Sequence, residues 1–140
     1  MGARSKARKR ALDILFESEL RGLPPGGTLD ERRSAAGSPL NEYTLTLVEG
    51  VVERLGDIDE AISAYSSGWP LERMPVVDRN ILRIGVYELR YVDSVPQAVA
   101  LSEAVALARE LSTDESPSFV NGLLAKIAAM GVAEHQGHDS

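Results

Sequence analysis

The chain has 140 residues, 44% of them hydrophobic and 26% charged, with a net charge of −6. That is the make-up of one globular domain, large enough to bury its own core. It contains no cysteine, and its two histidines, His135 and His138, stand close to the C-terminus, so disulfides, thiol nucleophiles, zinc–thiolate sites and a buried histidine-based catalytic centre are excluded.

No apolar run approaches the roughly 18 residues of a membrane span. The stretch Leu12 to Phe16 behind the basic N-terminus is too short for the core of a signal peptide, which predicts a cytoplasmic protein. The charge is unevenly placed. Residues 1–10 carry Arg4, Lys6, Arg8, Lys9 and Arg10 and no acid, a charge of +5, while ten basic and 21 acidic side chains give the rest −11. A short basic end on an acidic body fits a polyanion-binding surface, and it fits a merely solvated terminus. Arginine outnumbers lysine 12 to 3, and its planar fork of donors favours phosphate contact.

The basic end runs into a helical pattern, with Ala11, Leu12, Leu15, Phe16 and Leu20 at spacings of three and four. A cationic helix start opposes the helix dipole and predicts fraying there. Pro24-Pro25-Gly26-Gly27 breaks the helix, and Gly37-Ser38-Pro39 closes the break. The intervening 22–38 stretch reads as a mobile connection holding at most a short, poorly anchored helix. Ser38 then fits an N-cap with Pro39 at the first helical position, ahead of a stripe of Leu40, Leu47, Val48, Val51 and Leu55 that stops at Gly56. Asp57 and Glu60 open a short amphipathic helix through Tyr65. Gly68-Trp69-Pro70 ends it, and Trp69, the sole tryptophan, reads as a core or hinge anchor. Residues 76–92 are the most apolar. Tyr87, Leu89 and Tyr91 alternate like a strand, but the length of the run favours a central helix, with Val77, Ile81, Ile84 and Leu89 buried. Val95-Pro96 and Ser116-Pro117 start two further helices, and Gly131 marks the expected end of order. The expected architecture is all-α, a bundle of about six to seven helices over residues 1–132, with a disordered tail at 133–140.

No glycine-rich loop follows a strand, and no carboxylate pair sits in an apolar stretch that would raise its pKa. The expectation is a non-enzyme without cofactor or metal. Asp78 beside Arg79 and Glu88 beside Arg90 read as exposed or bundle-edge charges, and Phe16 and Tyr87 as core. Phe119, one turn into a helix after a polar loop, suits core packing or base stacking.

Four segments in combination resemble one family. They are Ala7-Arg8-Lys9-Arg10-Ala11-Leu12 with Leu15-Phe16; Asp78-Arg79-Asn80-Ile81-Leu82-Arg83-Ile84 with Tyr87-Glu88-Leu89; Val95-Pro96 with Ser102-Glu103-Ala104-Val105 and Leu107-Ala108; and Ser116-Pro117-Ser118-Phe119-Val120-Asn121-Gly122-Leu123-Leu124. Together they resemble the NusB family of bacterial transcription antitermination factors over about residues 4–130. The resemblance implies two three-helix halves and binding of boxA RNA, a single strand, with the ribosomal protein NusE, within an elongating RNA polymerase complex on ribosomal RNA operons. By position it assigns RNA contact to Arg4, Lys6, Arg8, Lys9 and Arg10, to Glu115, Ser116, Ser118 and Phe119, and secondarily to Arg83. It puts Asp78 on the side that meets NusE. Related sequences can carry a basic residue where this chain has Ser118. The same domain occurs fused to RNA cytosine methyltransferases, whose cysteine nucleophile is missing here. A helical protein-interaction module without direct RNA binding is the alternative; it explains the acidic body but not the basic end.

Overall fold

The computed structural model describes residues 2–35 and 39–138, with side chains through Met130. These residues form seven α-helices and no strand: α1 Ala3–Leu20, α2 Leu29–Ala35, α3 Glu42–Glu53, α4 Leu55–Tyr65, α5 Val76–Tyr91, α6 Gln97–Leu111 and α7 Ser116–His138, with a short 3-10 turn at Leu71–Arg73 before α5. α5 packs against α1, α3, α4, α6 and α7, so it is the central helix that joins α1, α3 and α4 to α6 and α7. The alternating pattern near its end is overruled by its surroundings. Ile81, Leu82, Ile84 and Val86 are all buried, which only a helix enclosed on most faces permits. Each such side chain contributes roughly 1.5–3 kcal/mol by leaving water. Val77 and Leu89, expected at the centre, are only partly buried and pack against its edge.

Local chemistry sets the helix ends. α1 closes in a Schellman arrangement: the Leu23 N–H donates to the Ser18 carbonyl at 2.9 Å and the Gly22 N–H to the Glu19 carbonyl at 3.0 Å. Gly22 takes the left-handed conformation at φ 69° that this cap requires. α3 begins later than the sequence suggests. Asn41 is its cap, accepting from the Tyr43 N–H at 2.7 Å, while Pro39 and Leu40 lie outside the helix and Ser38 lies outside the described residues. A side-chain acceptor nearer the apolar stripe outcompetes the Ser-Pro signal. Gly56 is likewise not a stop. Arg54 alone separates α3 from α4, and Gly56 is the second residue of α4. α7 continues past Gly131 to His138; no proline interrupts that stretch, and an isolated helical glycine is tolerated.

Residues 22–35 of the expected mobile connection are tied to the bundle, and residues 36–38 lie outside the described residues. Thr28 is buried, with its hydroxyl against Ser18 Oγ at 2.9 Å and its N–H donating to the same Oγ at 3.1 Å. Arg32 of α2 hydrogen-bonds Glu17 and Asp13 of α1, and Arg33 pairs with Glu49 of α3 at 2.5 Å. These partners lie 10 to 19 residues away, so helical periodicity does not reveal them.

The α3–α5 crossing depends on a missing side chain. A Cβ on Gly50 would stand 2.2 Å from Cζ of Tyr87, well inside contact distance. Gly50→Ala gains helix propensity of about 1 kcal/mol but forces two helices apart. It is therefore expected to destabilise by about 1–3 kcal/mol; a urea denaturation midpoint that rises would contradict this packing.

Candidate nucleic-acid interface

The basic end is helical from its third residue. α1 starts at Ala3 with Gly2 as its cap and no acid in its first turn, so its five cations are fixed to a rigid rod. Helical spacing divides them. Positions 6, 9, 10, 13 and 16 share one face, while 4, 8, 11 and 15 turn toward α3 and α5.

Arg8 belongs to the inner face. It is only 3% exposed, with Nε donating to both Glu88 oxygens at 2.9 Å and a second charge, Glu103, at 3.4 Å. The Tyr43 hydroxyl also donates to Glu88. Burial works against the Arg8 charge, but the hydrogen bond and charge of Glu88 outweigh it and hold the guanidinium above its ordinary pKa. The Tyr43 phenol is pushed above its usual range by burial and by its bond to Glu88. Glu88 is therefore a buried counter-ion, 1% exposed, rather than a bundle-edge charge. Sequence adjacency to Arg90 suggested an edge position because it hides a partner 80 residues away.

Arg4 stacks on the Tyr43 ring, 4.3 Å from its centroid, and donates to Ser94 at 3.1 Å. Lys9 meets Glu110 of α6 at 2.5 Å, both side chains nearly half exposed. Lys6 and Arg10 are exposed and make no ion pair among the described residues. Together Lys6, Lys9 and Arg10 rim an open groove of about 700 Å³ whose apolar lining is Leu12, Phe16, Val77 and Leu111. Its one carboxylate, Asp13, is neutralised by Arg32 at 2.9 Å. Phe16 is half-buried in this groove rather than in the core. Its place on the face of Lys6, Lys9 and Arg10 was available from spacing alone.

The second predicted region lies at the start of α7. Asp78 is 1% exposed and accepts from the hydroxyls of Ser112 and Ser116, the latter at 2.8 Å. It is not a surface charge but a clamp on the turn between α6 and α7. Burial, not chain position, decides its role. Ser116 is buried with it, while Glu115 and Ser118 are exposed and Phe119 is half-exposed. Ser118 lines a groove of about 660 Å³ with Arg109 and Asn121. Arg109 is exposed, without an ion pair among the described residues, and restores a cation beside Ser118. Arg83 is committed elsewhere: its guanidinium spans Asp59 at 2.9 and 3.0 Å and reaches Glu19 at 3.0 Å, with 8% exposure.

An all-helical domain with cations concentrated along one groove is the class that fold and charge define. The sequence model of the NusB family matches residues 5–129. A transcription antitermination protein NusB of Nocardioides sp. is 61% identical over 91% of this chain and 94% of its own length. One from Kineococcus radiotolerans is 58% identical over 93% and 96%. The chain belongs to the NusB family. Among solved structures, T. maritima NusB superposes with a TM-score of 0.80 at 32% identity, covering 91% of this chain and 92% of the other. The antitermination factors NusB and NusE in complex with dsRNA give 0.77 at 29% identity, covering 91% and 96%. No described helix is long and apolar enough to cross a membrane.

Arg8 and Arg10 differ in what they do for the fold. Arg8→Ala leaves a buried carboxylate without its cation and is expected to cost about 3–5 kcal/mol. Arg10→Ala should stay within about 0.5 kcal/mol of the parent. Equal urea midpoints for the two variants would refute the division of the helix into faces.

The Tyr43 phenol gives a pH test. Its folded pKa lies above the ordinary value of 10.0, so below pH 10 the phenol is neutral in both states and its bond to Glu88 is intact. Above that, the unfolded chain sheds a proton the folded protein keeps, and stability falls as pH rises. Tyr43→Phe is expected to reduce the loss of stability between about pH 8 and about pH 11; an unchanged loss would show that Tyr43 does not set it.

Proposed function

We propose that this protein is a non-enzymatic, cytoplasmic RNA-binding antitermination factor that takes up boxA-type single-stranded RNA together with the ribosomal protein NusE. The groove carries this reading. In a chain of net charge −6, Lys6, Lys9 and Arg10 border one apolar cleft whose only acid is already paired. Phosphates fit the cationic rim, and unpaired bases fit Phe16 and Leu111. A duplex hides its bases and offers the groove phosphates alone. Arg109, Ser118 and Phe119 extend the same surface chemistry at the start of α7. Arg4 and Arg8 hold α1 in place. Asp78 acts on any partner only through the α6–α7 turn that it clamps. The acidic remainder of the chain complements a basic ribosomal protein, and such complementarity chiefly raises the association rate and fixes orientation.

A mobility shift with boxA RNA, with and without NusE, tests the proposal. NusE should form a complex by size-exclusion chromatography and tighten RNA binding. Each phosphate neutralised on a single strand contributes roughly 0.7 to the slope of log affinity against log salt. Lys6→Ala with Arg10→Ala should therefore remove about 1.4 units of slope and weaken binding to all sequences alike. RNA bound with an unaltered slope would leave the basic groove a solvated face. A protein that binds NusE but no RNA would be an interaction module.

A further inference from the structure

We infer, resting on the RNA-binding reading above, that Arg32 of α2 is a positioning residue for RNA uptake: without lining the α1 groove, it holds Asp13 away from the cations of the rim. Asp13 is the one carboxylate in the groove lining, and Arg32 is not part of that lining. Asp13 stands three residues after Arg10 and four after Lys9, and side chains at those spacings are neighbours on a helix. Left to itself, Asp13 would close on one of them.

The rim can spare little charge. Lys9 already meets Glu110 at 2.5 Å, so Lys6 and Arg10 are its open cations among the described residues. An Asp13 turned to Arg10 would leave Lys6 alone to face a polyanion. Arg32 prevents this. Its Nη1 donates to Asp13 Oδ2 at 2.9 Å and its Nε to Glu17 Oε2 at 3.0 Å, so one guanidinium bridges two acids a turn apart on α1. Two carboxylates at that spacing repel each other, and a planar fork of donors bridges them better than an ammonium does.

Three features single out Arg32 among the arginines around α2. Its side chain is 21% exposed, against 46% for Arg21 and 44% for Arg33, so it is the one most committed to its partners. Both of its partners lie on α1, whereas Arg21 reaches Glu31 and Arg33 reaches Glu49 of α3. And α2 is docked by other means. Leu29 is buried in the core, Thr28 is bonded to Ser18, and Arg33 holds Glu49 at 2.5 Å. Arg32 is thus spared from anchoring the helix, and its bond to Asp13 sets the charge of the groove.

Full-length variants are tested by mobility shift with a single-stranded boxA-type RNA over a range of salt. Arg32→Gln should weaken binding roughly 1.5- to 5-fold. It should also flatten the salt dependence by up to about 0.7 units of slope, because Asp13 then occupies one rim cation. Adding Asp13→Asn to that variant should restore affinity and slope. Adding Asp30→Asn restores the same net charge at an exposed position of α2 outside the groove lining, and should restore neither. Should Arg32→Gln fail to fold by circular dichroism, Asp13→Asn alone decides. In the parent that acid is already held, so affinity and slope should stay unchanged, and a slope steeper by about 0.7 units would show that Arg32 does not hold it. RNA bound by Arg32→Gln with unaltered affinity and slope overturns the part given to Arg32 and leaves the RNA-binding reading intact. So does a loss that Asp13→Asn leaves in place or that Asp30→Asn repairs equally. RNA that fails to bind the parent protein with or without NusE overturns both.

Discussion

The structure turns on one buried ion pair. Arg8 and Glu88 face each other at 2.9 Å with almost no access to water, and the Tyr43 hydroxyl completes the coordination of the carboxylate. Two charges in a low-dielectric interior cost more to bury than they return unless their geometry is good and their remaining valences are filled. Here both conditions are met by residues from three helices, α1, α3 and α5. The pair locks the rotation of α1 about its own axis. With Arg8 turned inward, Lys6, Lys9, Arg10 and Phe16 are placed together on the outer side by helical geometry. The inner pair and the outer groove are thus two consequences of one rotational setting.

Charge bookkeeping along the sequence treats the five N-terminal cations as one group, and the folded protein does not. Arg8 is internal, Arg4 is held on an aromatic face, Lys9 meets an acid across the bundle, and Lys6 and Arg10 are left open. A polyanion approaching α1 meets three cations along a cleft rather than a diffuse tail, and at Lys9 it must displace Glu110. An acidic protein can bind a polyanion in this way because its carboxylates are drawn into pairs where they would otherwise repel. Asp13 is held by Arg32, and Glu88 and Glu103 by Arg8.

The helical architecture was legible because burial on a helix repeats every three to four residues. Residues 76–92 required length to overrule a strand-like alternation, and the starts at Val95-Pro96 and Ser116-Pro117 stood out as local signals. Long-range partners were not legible. Nothing near Asp78 announces Ser112 and Ser116, and nothing near Thr28 announces Ser18, because those contacts arise from how the helices stack. For the same reason Arg8 and Arg83 looked like phosphate ligands. An arginine at the surface and one paired inside the bundle have identical sequence neighbourhoods. Trp69, read as a core or hinge anchor, is 36% exposed and packs on the Phe119 ring from the turn after α4, so it lies at the edge of the core. The side of α1 that carries Phe16 was readable from spacing, but it is concealed when aromatic residues are assigned to the core by type.

The separation in sequence between α1 and its counter-charges bears on how the protein comes into being. Arg8 is synthesised 80 residues before Glu88, and Lys9 101 residues before Glu110. At roughly 5–20 residues per second, the first helix waits about 4–20 s on the ribosome before its counter-ions are made. Throughout that interval its cations stand beside ribosomal RNA without the carboxylates that hold Arg8 and Lys9 in the folded protein. The segment translated first is therefore the one whose electrostatics are completed last, and early in synthesis the nearest polyanion is the machine that is making it.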